Sequence, residues 1–422
     1  MENIKKYIYD LAKRNVVFRK MSRFILKAYH KIKYIKYYFT IKTDDKVVIF
    51  ETFNGRSFSD SPKYLYLEML NNKDYKDYKF IWAFNDPESK TNLFKELVND
   101  RTTIVKTNTN SYLKSYAKAK YWIVNSKLNE RLIKKKGQIC CQCWHGTPLK
   151  RLGFDILKEK GNALNTVKEI KEKYYNDAKV YDYMLSPSKF CSEALTSAFA
   201  LKSLNKENII VEKGYPRNDF LFKYTEDDVL KIKKSIGIDT DKKIILYAPT
   251  WRDNQHTSGV GYTYKLGIDF DTLKKKIGDK YIILFRAHYF IANSFDFDKY
   301  KGFVYNVSNI DDVNLIYVIS DILITDYSSV FFDFANLKRP MLFYMYDKEE
   351  YQNNLRDFYF SLSYLPGPIV KEEKDLIKEI NEVDTYFIRY KEKYDEFNKK
   401  FNYLDSKDIS LKVLKEIIKW RS

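Results

Sequence analysis

The chain has 422 residues, 45% hydrophobic and 31% charged, which exceeds one ordinary core and suits two globular domains. Its 75 Lys+Arg against 56 Asp+Glu leave a net charge of +19, which selects anionic partners (nucleic acid, anionic lipid, phosphate-rich substrates) without choosing among them. No apolar run reaches 18 residues, so no transmembrane helix is expected. The spacing of Cys140, Cys141, Cys143 and Cys191 argues against a zinc site or a disulfide framework.

Residues 1–42 come first and stand apart, with twelve Lys/Arg against Glu2 and Asp10. Ile4, Leu11, Phe18, Ile25, Ile32 and Phe39 recur every seven residues, and Met21 and Ile35 broaden the stripe. This predicts a basic amphipathic helix. Two destinations are open for it: an anionic membrane surface, or the protein's own core with a solvated basic back. The segment lacks the compact apolar core and cleavage site of a signal peptide, so the cytoplasmic side is expected.

After Asp44-Asp45, short apolar runs alternate with amphipathic segments of helical length. Strands are predicted at 47–50, 80–84, 103–105, 121–124, 139–144 and 183–185. A second series follows at 209–211, 244–247, 282–285, 303–305, 322–324 and 341–343. Helices are predicted at 62–70, 92–98, 188–199 and 311–319, and the segment from Lys371 reads as helical, charged and exposed. Such alternation implies parallel sheets with helices on both faces. The expected domains are 1–42 (basic segment), 43–205 and 206–385 (two Rossmann-like halves, with a linker near 201–208), and 386–422 (helical tail).

In open parallel sheets, ligands bind beyond the carboxyl ends of the strands. His145-Gly-Thr-Pro-Leu-Lys150, Arg217-Asn-Asp219, Thr250-Trp-Arg252, Arg286-Ala-His288 and Thr325-Asp-Tyr-Ser-Ser329 all follow apolar runs. A neutral His145 could take a proton from a hydroxyl, and Arg286 with His288 could hold a diphosphate. Trp251 could stack on a base or polyol with Arg252 at phosphate. Asp326 or Ser328 could cap the next helix, and its N–H groups with the serine hydroxyls could bind phosphate. No GxxxxGK[ST] or GxGxxG loop occurs, which weighs against ATP hydrolysis and dinucleotide redox chemistry. No cluster has metal-ligand spacing.

Ser59-Asp-Ser-Pro-Lys63, Trp144-His-Gly-Thr-Pro-Leu-Lys150, Gly214-Tyr-Pro-Arg-Asn-Asp219, Tyr247-Ala-Pro-Thr-Trp-Arg252, Arg286-Ala-His288 and Thr325-Asp-Tyr-Ser-Ser329 occur in this order. With Arg339-Pro340, Tyr346-Asp347, Tyr351 and Pro366-Gly-Pro368, the chain resembles the CDP-glycerol glycerophosphotransferase family of teichoic acid and capsule primases and polymerases. Tyr289 and Arg356-Asp357-Phe358 depart from that pattern.

The resemblance implies a GT-B-like α/β fold of two facing Rossmann-like domains, with the acceptor in the N-terminal half and CDP in the C-terminal half. It implies His145 and His288 as the essential pair. Lys150, Arg217, Asn218, Asp219, Thr250, Trp251, Arg252, Arg286, Thr325, Asp326, Ser328 and Ser329 are the expected substrate-binding residues. It further implies CDP-glycerol or CDP-ribitol as donor and a lipid-linked polymer acceptor; given such an acceptor, the basic segment 1–42 is expected to hold the enzyme peripherally at the cytoplasmic face of the membrane. No bound cofactor is implied, with Mg2+ as an optional counter-ion to the diphosphate, and homo-oligomerisation is left open. The competing readings are a GT-B glycosyltransferase using a nucleotide sugar and a nucleic-acid-binding protein; no recognised nucleic-acid motif supports the latter.

Overall fold

The structure is a computed structural model that describes residues 15–90, 99–157, 166–250, 256–257, 261–262, 267–287, 295–350 and 357–418. Its first sheet contains seven strands: β1 (Asp44–Glu51), β2 (Lys79–Phe84), β3 (Thr102–Lys106), β4 (Ala119–Val124), β5 (Ile139–Gln142), β6 (Tyr183–Ser186) and β7 (Ile210–Glu212). They pair in parallel in the order β3-β2-β1-β4-β5-β6-β7. Its second sheet contains β8 (Lys243–Ala248), β9 (Tyr281–Phe285), β10 (Val304–Asn306), β11 (Ile322–Thr325), β12 (Met341–Tyr344) and β13 (Ile369–Val370), ordered β10-β9-β8-β11-β12-β13 and again parallel.

Parallel strands covered on both faces lose the alternating pattern. Val47, Val48, Ile49 and Phe50 are all buried in β1, as are all five residues of β9. Each sheet anchors its own hydrophobic core, so the two-half organisation holds, and the architecture is the GT-B one. The strand near residue 210 does not open the second half, however. It pairs with β6 and completes the first sheet, and the chain crosses between halves after it, through the 3-10 turn Pro216–Phe222.

Strand β5 ends at Gln142, short of the predicted Trp144. Trp144 has φ +53°, outside strand geometry, and its N–H donates to Gln142 Oε1 at 2.9 Å. The C-terminal helices are less exposed than their charge suggests. Helix α11 (Tyr386–Phe401) buries Tyr386, Tyr394, Phe397 and Phe401 in the second core. Helix α12 (Ile409–Ile417) returns to bury Ile409, Val413, Leu414 and Ile417 in the first. Charged residues on a helix report one face only; the moment of the apolar stripe sets the other.

The basic segment is helical over α1 (Val16–Thr40), capped by the Asn15 side chain, which accepts from Phe18 N at 3.0 Å. Tyr34 is fully buried in the first core, and Tyr37, Tyr38 and Ile41 pack against it. The apolar stripe does not turn inward: Val17, Met21, Phe24, Ile25, Ile32 and Phe39 are exposed. No helix among the described residues is long and apolar enough to cross a membrane.

Candidate active site

The two sheets bring their carboxyl ends towards one cleft. On the first side, the β4 end supplies Asn125 and the β5 end supplies His145. On the other, β8 and β11 flank the switch point of the second sheet and supply Thr250 and Asp326. Gly146 marks how near the two sides come, since a Cβ built there would lie 2.9 Å from Ser329 Oγ.

His145 is held from behind and open in front. Its Nδ1 lies 2.8 Å from the Asn125 carbonyl, which can only accept, so the neutral ring carries its proton on Nδ1 and leaves Nε2 free to accept. The ring lies 4.4 Å from Trp144 and 5.9 Å from Phe53, centroid to centroid. Its outer edge meets solvent while protein surrounds the rest, as in the floor of a cleft. The protein mass around it lowers its pKa below 6.5, and the hydrogen bond to Asn125 and the charge of Asp60 counter this in part. The imidazole is therefore neutral at pH 7.

Across the cleft, Asp326 Oδ1 accepts from Thr250 N at 2.8 Å and from Tyr327 N, which pins the loop after β8 to the end of β11. Thr325 donates to the Ala248 carbonyl at 2.7 Å and belongs to the same brace. Ser329 is the N-cap of the short helix α9 (Val330–Phe334) by position, but its side chain makes no capping bond, and Ser328 and Ser329 are both half-buried beside the cleft. Lys150 forms an antiparallel bridge with Phe358; Arg151 N donates to Asp357 O and Tyr359 N to Leu149 O, both at 2.9 Å. The loop that follows His145 is thus strapped by a segment of the opposite half.

Several predicted binding residues lie elsewhere. Arg286 is half-buried and its Nη1 donates to the carbonyls of Val307 (2.9 Å) and Ile310 (2.7 Å), which braces β9 against the next loop. Arg217 is buried between Asp60 and Asp333, and Asn218 between Asp333 and Asp405. Asp219 accepts from Ile409 N and Ser410 N, capping α12. These three form an inter-domain polar core, where ligand oxygens have no access. Trp251, Arg252 and His288 lie outside the described residues, as do the departures at Tyr289 and Arg356. The four cysteines are buried and unpaired, and burial pushes the Cys191 thiol up to about 11. Among the described residues, no group of three or more His, Cys, Asp or Glu is placed to hold a metal ion.

Sequence reasoning missed Asn125 as the partner of His145. It follows the buried strand β4 beside the switch point, so the strand-end rule could have found it. Asp60 stood in the Ser59–Lys63 motif without a role assigned to it, and Asp333 carried no such signal, since it lies within a helix.

A family model described as CDP-Glycerol:Poly(glycerophosphate) glycerophosphotransferase matches residues 33–419. The chain is 39% identical over 377 residues to a teichoic acid poly(glycerol phosphate) polymerase of Bacillus spizizenii, covering 89% of this chain and 92% of that one. It is also 39% identical over 394 residues to a protein of the same description from Staphylococcus epidermidis, covering 92% of this chain but only 53% of the relative, about half its length. Among solved structures, a histidine variant of the wall teichoic acid polymerase TagF soaked with CDPG superposes with a TM-score of 0.83. The identity is 36%, with 95% of this chain and 96% of that one covered.

Proposed function

The chain belongs to the CDP-glycerol:poly(glycerophosphate) glycerophosphotransferase family, and on that premise we propose that it transfers glycerol phosphate from CDP-glycerol to a hydroxyl of a lipid-linked teichoic acid acceptor, releasing CMP. The single observation that carries this reading is His145, whose Nδ1 is engaged by the Asn125 carbonyl beside the point where Gly146 meets Ser329, which leaves Nε2 as the accepting nitrogen of the neutral ring. In the proposed step, Nε2 takes the proton of the acceptor hydroxyl. That oxygen attacks the phosphorus bearing the glycerol, the bond from this phosphorus to the bridging oxygen breaks, and CMP departs with the electron pair. Positioning and charge stabilisation supply most of the acceleration in such transfers. Ser328 and Ser329, half-buried after β11, are proposed to meet donor phosphate oxygens. His288, Trp251 and Arg252 are proposed on the donor side from their motifs, and Mg2+ would enter only as counter-ion to the diphosphate.

The enzyme is further proposed to work at the cytoplasmic face of the membrane as a peripheral protein. The support is α1, which is fixed to the body through Tyr34 and leaves its apolar stripe exposed. A basic helix of this kind lies in the interface of an anionic bilayer.

The decisive experiment is acceptor-dependent CMP release. Purified protein is given CDP-glycerol, CDP-ribitol or UDP-sugars, with and without a lipid-linked primer. CMP from CDP-glycerol only when primer is present is the expected result. UDP release from a nucleotide sugar, with no CMP from either CDP-polyol, would move the chain to the glycosyltransferases.

A further inference from the structure

A chain of buried hydrogen bonds runs behind His145 and crosses into the other half. Asn125 accepts from His145 through its carbonyl, and its fully enclosed side chain is occupied at both ends. Its Oδ1 accepts from Phe53 N at 2.8 Å, and its Nδ2 donates to Asp60 Oδ2 at 2.7 Å. Asp60 Oδ1 accepts from Arg217 Nη1 at 2.9 Å. Arg217 then forks onto Asp333, Nε to Oδ2 at 3.0 Å and Nη2 to Oδ1 at 3.1 Å, with its guanidinium 4.0 Å over the Tyr215 ring. Asp333 stands on α9, the helix that starts directly after Ser328-Ser329.

Two features indicate more than domain docking. Asp60 opens helix α2 (Asp60–Asn71) with φ +59°, a left-handed backbone that suits glycine or asparagine. That backbone holds a carboxylate between Asn125 and Arg217, and the surrounding bonds over-determine it. The second feature is charge order. Two carboxylates share one guanidinium, and the nearer of them, Asp60, is linked to His145 through Asn125. Among the described residues, Asp60 on α2 and Arg217 after β7 are the charged groups that act on the imidazole, the first favouring and the second opposing its protonation. The other close neighbours, the Trp144 and Phe53 rings and the Asn125 carbonyl, are uncharged.

We propose that Asp60, Asn125 and Arg217 are positioning residues for His145. They hold the Nδ1–H tautomer with Nε2 bare towards the cleft, and Asp60 stabilises the imidazolium as it forms, while Asp333 ties this arrangement to the helix behind the serine pair. No proton reaches Asp60: the one from the acceptor stays on Nε2, and Nδ1 keeps its own. The proposal rests on the reading of His145 as the base.

The test reads the imidazole directly. The chain has four histidines, so nitrogen-15 histidine labelling gives a simple spectrum, and His145→Gln assigns its signal by loss. In the unsubstituted protein this signal should show the Nδ1–H tautomer. Asp60→Asn should lower its titration midpoint by about one pH unit and lower kcat about tenfold or more, leaving the CDP-glycerol KM little changed. A folded Asp60→Asn protein with unchanged tautomer, midpoint and kcat would overturn the proposal, as would a fall in Tm alone. If Asp60→Asn does not fold, Asp333→Asn leaves every contact around His145 in place and should move the midpoint down by less. A midpoint that stays put overturns it equally. Full turnover in His145→Gln would instead remove the base reading, a result distinct from any shift or constancy of the titration.

Discussion

At the scale of single residues, three predicted site residues share chemistry but not location. His145 lies next to Gly146, which approaches Ser329 across the cleft, whereas Arg286 Nη1 donates to the carbonyls of Val307 and Ile310. An arginine after a buried strand looks the same in sequence whether it binds phosphate or ties down its own backbone. His145→Gln should cut turnover by about a hundredfold or more while CDP-glycerol binding, measured by calorimetry, is retained. Retained turnover would place the base elsewhere. The pH profile carries a sign: burial lowers the His145 pKa, so the imidazole proposed as the base is neutral above that value. The acidic limb of kcat/KM assigned to this group should lie below pH 6.5, and Asp60 should hold it from falling further.

At the scale of elements, the two terminal helices were the least legible. Helix α1 keeps its seven-residue stripe on the outside, because Tyr34, Tyr37 and Tyr38 on another face already satisfy the core. Binding to anionic liposomes should weaken with added salt, since each basic residue near the surface contributes roughly 1 kcal/mol. Ile25→Glu with Ile32→Glu should abolish it in flotation assays while soluble folding is kept. Undiminished flotation of that double variant would exclude α1 as the contact. Helix α12 is the opposite case. Leu414 is fully buried, and Leu414→Ala should cost about 2–5 kcal/mol in urea unfolding of the first half, with no change in the residues of the cleft.

At the scale of the whole molecule, the halves are latched at several points. Lys63 and Tyr64 reach Asp312 at 2.6 and 2.8 Å, Lys90 reaches Asp311 at 2.7 Å, and Phe58 N donates to Asp311 at 2.8 Å. Arg217 is a buried member of this set, paired with two carboxylates. Arg217→Ala leaves Asp60 and Asp333 buried without their cation and should cost about 3–5 kcal/mol. Thermal unfolding of that variant should show the loss even in the absence of donor. A variant with unchanged stability but weakened CDP-glycerol binding would return Arg217 to the binding residues. The latch also explains why Arg217-Asn-Asp219 stood out in the sequence: a motif can persist as architecture as readily as chemistry.

The sequence by itself determined the alternation of strands and helices, the two halves and the strand ends that face the cleft. These follow from local periodicity and from burial of parallel strands on both faces, which a linear pattern records directly. It did not determine that the strand at Ile210–Glu212 closes the first sheet, that α12 crosses back to the first core, or that Asp60, Asn125, Arg217 and Asp333 converge behind His145. Those outcomes depend on pairing partners that can lie hundreds of residues away in the chain, and a polar side chain gains its role only when folding removes water from around it and leaves a particular neighbour.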